Sequence, residues 1–247
     1  MKSSSKEIVF ILSVIALGAL SWLVSSVIMS SQKGSQGFSN TDALPSMPTS
    51  GFPDPRFHFL SPWSLAATPT ATRFDAPMGS ANSALVYNAQ KFWEMNEARG
   101  GHHTGDDLNG IGGMNTDLGD PVFATADGLV VYADEPSPGW GKVVIVSHRT
   151  TRGEILQSMY AHLLEIKVKP GDLVARGQKI AAVGTANGYY PAHLHFELRA
   201  SDGVDLGAGY AVNPLNHLDP MKTVIELRNA APDALSPSPL AIALGGK

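Results

Sequence analysis

Pro191-Ala192-His193-Leu194-His195-Phe196-Glu197-Leu198-Arg199 is the stretch on which the fold turns. Read as a β-strand, it places side chains two apart on one face. His193, His195 and Glu197 then line one side, and Leu194, Phe196 and Leu198 the other. A polar face able to hold a metal is thereby backed by an apolar one. An isolated His-x-His is also what an ordinary strand with a wet face looks like, so its meaning depends on what lies upstream.

Upstream lies a series of short apolar runs divided by Gly, Pro and Asp: Val122–Ala126, Leu129–Ala133, Lys142–Ser147, Ile155–His162, Glu165–Val168, Leu173–Ala175 and Lys179–Val183. The pattern predicts an all-β domain, mainly antiparallel and sandwich-like, with Asp127-Gly128 as a hairpin turn between the first two runs. No long periodic helix competes after Gly119. Between Arg73 and Gly100, Leu85, Val86, Tyr87, Phe92, Trp93 and Met95 fit an amphipathic helix or a strand pair, and periodicity does not choose.

Composition narrows the chemistry. A net charge of -4 over 247 residues, with Lys+Arg 18 against Asp+Glu 22, leaves no basic footprint for nucleic acid. The chain has no cysteine, which excludes disulfides, thiolate zinc sites, a cysteine nucleophile and a lipid-bearing cysteine. A transition-metal site must use histidine and carboxylate.

Residues 8 to 32 carry no charge and are mostly apolar. At ~1.5 Å per residue, a helix over this length crosses a hydrocarbon layer of about 30 Å. Residues 1–32 therefore read as an N-terminal transmembrane helix, favoured over a cleaved signal peptide. Lys2 and Lys6 ahead of it put the N-terminus in the cytoplasm and the remainder outside. Residues 33–72, rich in Pro, Ser and Thr, read as a tether, although Phe52, Phe57, Phe59 and Trp63 are unusual there and suit a segment lying against the domain. The folded domain is expected over 73–229 and a disordered tail over 230–247.

The chemistry gathers on histidines. Gly101-His102-His103-Thr104-Gly105-Asp106-Asp107 offers an imidazole and a carboxylate four apart in two registers, His102 with Asp106 or His103 with Asp107. Tyr160-Ala161-His162-Leu163 alternates like a strand and presents His162 on one face.

In order and spacing, these segments closely resemble the LytM/lysostaphin-type zinc metallopeptidases of the M23 family. His103-Thr104-Gly105-Asp106-Asp107, Gly119-Asp120-Pro121-Val122, Ala126-Asp127-Gly128, Gly141-Lys142-Val143-Val144-Ile145, Tyr160-Ala161-His162-Leu163, Val168-Lys169-Pro170-Gly171-Asp172, Val183-Gly184 and His193-Leu194-His195-Phe196-Glu197 carry the resemblance, over about residues 101 to 200. Its His-x-Gly-x-Asp motif selects His103 with Asp107, leaving His102 and Asp106 as neighbours. The resemblance implies that His103, Asp107 and His195 bind Zn²⁺ and that His162 and His193 are the catalytic pair. Two imidazoles and one carboxylate leave a fourth tetrahedral position for water. No His-Glu-x-x-His helix supplies a glutamate base, so the histidine pair takes that role.

The implied function is zinc-dependent hydrolysis of peptide bonds in bacterial peptidoglycan by a domain on the outer side of the cytoplasmic membrane. The rival is a non-catalytic relative that binds and regulates other cell-wall hydrolases; in such relatives ligand or catalytic positions are replaced, whereas all five stand here. Residues 168–180 also resemble hairpins of biotinyl and lipoyl carrier domains, but Met221-Lys222 lies outside them. Two departures from the family pattern stand out: the long segment 108–118, and an acidic Asp106 at a position often aliphatic. Glu197 is expected to hydrogen-bond behind the ligands. His148 is expected to be structural, and His58 and His217 to be surface or packing residues.

Overall fold

The alternating runs become strands because a central sheet buries both of their faces. A computed structural model describes residues 57–230 and 238–245. Its main strands are β1 (Val86–Gln90), β2 (Asp106–Gly110), β3 (Gly128–Ser137), β4 (Gly141–Thr150), β5 (Ile155–Leu163), β6 (Leu173–Val174) and β7 (Leu194–Arg199). They lie in the order β6-β3-β4-β5-β7-β2-β1, and every neighbouring pair is antiparallel. Two short strands complete the sheet, His217–Leu218 beside β7 and Thr70–Ala71 parallel to β4. The mainly antiparallel β expectation is met, with few helices. The transmembrane helix expected over 1–32 lies outside the described residues, among which no helix is long and apolar enough to cross a membrane.

Each face of the sheet carries its own core. Val144, Val146, Tyr160, Leu194, Phe196 and Leu198 join Val122, Ile180 and Ala181 in the larger cluster. The last three come from a three-stranded sheet of Pro121–Phe123, Lys179–Ala182 and Glu165–Ile166, which covers that face. On the other face, Val143, Ile145, Met159 and Ala161 pack with Trp140, Val204 and Leu206. Burying one Leu or Phe side chain contributes roughly 1.5–3 kcal/mol, so the apolar side of β7 alone holds its polar side firmly in aim.

The hairpin expected at Asp127-Gly128 is not formed. Pro121–Phe123 pairs with Lys179–Ala182, whereas β3 pairs with β4 and β6. Neither residue has the positive φ that a tight two-residue hairpin turn needs. Gly128 is instead a close approach: a Cβ there would stand 2.3 Å from Val146 Cγ1 and 2.7 Å from His148 Nδ1. Asp127 serves as a clasp, accepting the Arg176 N–H at 2.7 Å, the Leu240 N–H at 3.1 Å and the Ser238 hydroxyl.

The region left open between helix and strands forms strands, β1 and Met95–Asn96. Ahead of residue 73, His58–Phe59 pairs with Gly203–Val204 and Leu60 is buried, so the end of the expected tether lies against the sheet. The helices α1 (Pro62–Ala67), α2 (Pro220–Asn229) and α3 (Pro239–Ala243) start alike. Ser61, Asp219 and Ser238 each accept a backbone N–H three residues on, and each is followed by the proline that suits a first helical turn. The last of these, docked on Asp127, falls within the stretch expected as a tail.

His148 is fully buried, its Nδ1–H donated to the Asp127 carbonyl at 2.8 Å and its Nε2 paired with Ser158 Oγ at 2.7 Å. Burial pushes its pKa down from 6.5 to about 4, against the opposing pull of the Asp127 hydrogen bond and charge. The unfolded chain takes up this proton near pH 6.5 and the folded one only near 4, so stability falls as pH drops through that window. Between pH 7 and 4.5 the expected loss from this group is about 2 kcal/mol. Urea unfolding at both pH values should show a His148→Asn variant losing correspondingly less than the wild type; equal pH slopes would show that His148 titrates normally.

Candidate metal centre

Register alone brings two of the expected ligands together. β7 pairs with β2 so that His195 faces Asp107, and with β5 so that Ala161 faces His195. His103 ends the strand Gly101–His103 and reaches the same place because the chain passes closely over β7 at Gly105. A Cβ at Gly105 would lie 2.6 Å from the Phe196 carbonyl oxygen and 3.0 Å from His195 Cε1. Only glycine permits that crossing, and it puts His103 and Asp107 on the His195 side.

Three ligand atoms converge. His103 Nε2 lies 3.1 Å from His195 Nδ1 and 3.2 Å from Asp107 Oδ1, and the last two are 2.9 Å apart. Donors at ~2.0–2.1 Å from a tetrahedral ion sit roughly 3.3 Å from one another, so the triangle fits the base of such a site. Burial alone would raise the Asp107 pKa, but hydrogen bonds and charge from His103 and His195 hold it well below the usual carboxylate range. The group is therefore an anion ready to take a cation.

Glu197 sits directly behind, wholly buried. Its Oε1 accepts from His195 Nε2 at 2.9 Å and from the Thr104 hydroxyl at 2.7 Å. Its Oε2 accepts from Arg199 Nε at 2.7 Å and lies 3.4 Å from His217 Nε2. Because a carboxylate can only accept, the His195 proton is held on Nε2 and Nδ1 is turned to the triangle. Burial pulls the His195 pKa down, while Asp107 and Glu197 at its two nitrogens raise it to about 9, so without an ion Nδ1 also carries a proton, shared with Asp107, which a bound cation would displace. Burial likewise opposes ionisation of Glu197, but Arg199, His195 and His217 hold its pKa well below the usual range. The Arg199 guanidinium in turn donates to the carbonyls of Asp205 and Leu206.

His162 and His193 flank the triangle. Regular alternation would send His162 toward the larger core, yet β5 carries one extra residue against β4 between Tyr160 and Leu163. His162 adopts φ 63° there, and the bulge turns its side chain to the site face. Its ring centre lies 4.8 Å from that of His193 and 5.6 Å from that of His195. His162 Nδ1–H donates to the Trp140 carbonyl at 3.1 Å and His193 Nδ1–H to the Pro191 carbonyl at 2.9 Å. A carbonyl fixes the proton on Nδ1 in both rings, leaving Nε2 as the free lone pair. Burial, with His195 and His193 nearby, holds the His162 pKa well below its ordinary value, so this ring is neutral at pH 7.

Loop 108–118 reaches this site through its asparagines. Asn115 Oδ1 accepts the Ala192 N–H at 2.7 Å, and Asn109 Nδ2 donates to the Ala192 carbonyl at 3.0 Å, so both peptide groups flanking Ala192 are held next to His193. Asp106 points to the other side of the sheet, accepting from Asn88 Nδ2, the Phe92 N–H and the Met221 N–H at 2.6, 2.8 and 3.1 Å. Its charge is satisfied by amides, neither at the triangle nor in solvent. His102 stacks on Trp93 at 4.6 Å. Residue patterns did not single out Trp140, whose ring lies 5.2 Å from that of His195, nor Tyr190 and Tyr210, 4.9 Å from His162 and 5.4 Å from His103. Their only signal in the sequence was an aromatic between two glycines and a Tyr three residues before His193.

Removing one partner of a buried ion pair strands the other, at a cost of about 3–5 kcal/mol. Glu197→Gln is therefore expected to lower the unfolding free energy by about that amount in urea titration. A loss under about 1 kcal/mol would mean that Arg199 is compensated by the two carbonyls alone.

Comparison with known proteins gives the family. The family model "Peptidase family M23" matches residues 103–214. Lipoprotein NlpD of Yersinia enterocolitica is 38% identical over 100 residues, covering 40% of this chain and 91% of that protein. Peptidoglycan DD-endopeptidase ShyB of Vibrio cholerae is 39% identical over 83 residues, 34% of this chain and 18% of its own length. Murein hydrolase activator NlpD of Escherichia coli is 38% identical over 100 residues, 40% of this chain and 23% of its own. This chain thus spans under a quarter of the last two proteins; residues 103–214, which the family model matches, contain the triangle and both flanking histidines, and the chain belongs to peptidase family M23.

Proposed function

We propose that the protein is a zinc endopeptidase that hydrolyses peptide bonds of peptidoglycan, with His103, Asp107 and His195 as ligands and His162 and His193 as the proton-transfer pair. The convergence of all five side chains, two of them with a fixed free Nε2, carries the reading. Zinc would supply a Lewis acid for the scissile carbonyl and lower the pKa of a water to roughly 7. His162 and His193, with Nδ1 tied to carbonyls, each hold Nε2 as a lone pair that would accept a proton from an attacking water and return it to the leaving amine. Neutral His162 is in the form a base requires. The rings of Trp140 and Tyr190 lie beside it, their centres 5.9 and 4.9 Å from that of His162.

The envelope placement is also a proposal. ShyB acts on peptidoglycan by name and the Yersinia relative is named a lipoprotein. This chain has no cysteine to lipidate, so attachment falls to the apolar segment 8–32 as a membrane anchor.

A second reading has a specific observation in its favour: the Escherichia coli relative is named a murein hydrolase activator. In that case the domain would stimulate a separate hydrolase. The complete five-residue set favours direct catalysis. The two separate when the full chain, zinc-loaded, is incubated with purified sacculi alone and with a second wall hydrolase. Release of soluble muropeptides by the chain alone supports the peptidase; release only when the second enzyme is present supports the activator.

The division of roles has its own test. His195→Ala should lose bound zinc, whereas His193→Ala should keep most of it and lose about 10²–10⁴-fold in turnover. Metal content and muropeptide release, measured on both variants, decide the matter, and equal zinc loss would contradict the assignment.

A further inference from the structure

We propose that Arg99, exposed beside the candidate metal site, is a carboxylate-binding residue and that it selects peptides carrying a free carboxylate beside the scissile bond. This deepens the peptidase reading and rests on it for the place of the scissile bond. Among the described residues Arg99 is unlike every other arginine. Arg73, Arg152, Arg176, Arg199 and Arg228 face carboxylates, and Arg149 donates to the carbonyls of Leu65 and Gly153. Arg99 makes one side-chain hydrogen bond, from Nη2 to the Tyr190 hydroxyl at 3.2 Å. A guanidinium has five N–H donors in a planar fork that matches a carboxylate, so most of this one's capacity is unspent.

The position is built. The Arg99 guanidinium carbon lies 6.0 Å from the ring centre of Tyr190 and 5.7 Å from that of Tyr210, within cation–π range of both. Both rings touch the site, at different members of it. Tyr190 lies 4.9 Å from His162 and 5.9 Å from His193, and Tyr210 lies 5.4 Å from His103. Tyr210 is itself held, donating its hydroxyl proton to Gln90 Oε1 at 3.0 Å. The backbone is held too: the Arg99 N–H donates to the Asn96 carbonyl at 3.1 Å, in the turn between Met95–Asn96 and the strand that carries His103. A cation one aromatic ring from both the proton-transfer pair and the ligand triangle, in a chain of net charge -4, is placed to meet an anionic substrate group.

The test uses the full zinc-loaded chain and two probes: a soluble stem peptide with free carboxylates, and the same peptide with those groups converted to carboxamides. Wild type should bind the free-acid peptide about 10- to 100-fold more tightly, the range of a charged hydrogen-bonded contact. Arg99→Gln should bind both peptides alike, and Arg99→Lys should recover only part of the preference because it lacks the fork. Calorimetric binding needs no turnover, so it tests Arg99 even if the chain cleaves nothing. Cleavage of sacculi tests the peptidase reading by itself. Retained preference in Arg99→Gln, or none in the wild type, would overturn the assignment; with activity, the variant should show a raised KM at nearly unchanged kcat, and a fall confined to kcat would also overturn it.

Discussion

A single buried carboxylate organises this site. Glu197 has no access to solvent and yet remains charged, which is tolerable only because each of its oxygens is claimed. One oxygen binds the strand-to-strand crossing through Thr104 and the triangle through His195; the other binds Arg199, with His217 close by. Taking such an ion out of water costs several kcal/mol. What the arrangement secures is direction: His195 cannot rotate its ring or exchange its tautomer without stranding Glu197. His103 has no comparable support, since its Nδ1 is buried without a hydrogen-bond partner. The aim of the triangle therefore depends on Glu197 more than on any other neighbour.

The same strand serves structure and chemistry on its two faces. Leu194, Phe196 and Leu198 lock β7 into the larger core, and His193, His195 and Glu197 follow from the two-residue repeat. The neighbours differ in how they join. Asp107 arrives by plain pairing, His103 by a crossing that only Gly105 permits, and His162 by a bulge. Two flanking imidazoles share one device, an Nδ1 proton parked on a backbone carbonyl, and this leaves both free nitrogens on the site side. M23 membership accounts for the set of residues.

Much of this was legible in the sequence, for physical reasons. Alternation is a local property, so the strands from Lys142 to Ser147 and from His193 to Arg199 could be read directly, as could the face that carries His193, His195 and Glu197. The His103–Asp107 register was not decidable from spacing; it needed the family's glycine, which in the structure is the tight crossing. Asp127-Gly128 misled because turn residues also occur where a chain changes sheets, and there glycine answers to crowding from Val146 and His148. The bulge at His162 leaves no mark in composition. Nor does Asp106 reveal that its partners are amides from Asn88, Phe92 and Met221, 18, 14 and 115 residues away in the chain. Arg199 and Trp140 act through carbonyls, which every residue possesses.

The two asparagines of loop 108–118 have a mechanical consequence. With one gripping the Ala192 N–H and the other its carbonyl, the peptide planes on either side of Ala192 cannot swing in the paired crankshaft rotation by which loops usually relax. His193 therefore sits on a clamped backbone, and any adjustment at this position falls to its side chain. The loop between Asn109 and Asn115 can meanwhile change in length or composition without disturbing that clamp, as long as the two amides stay in reach.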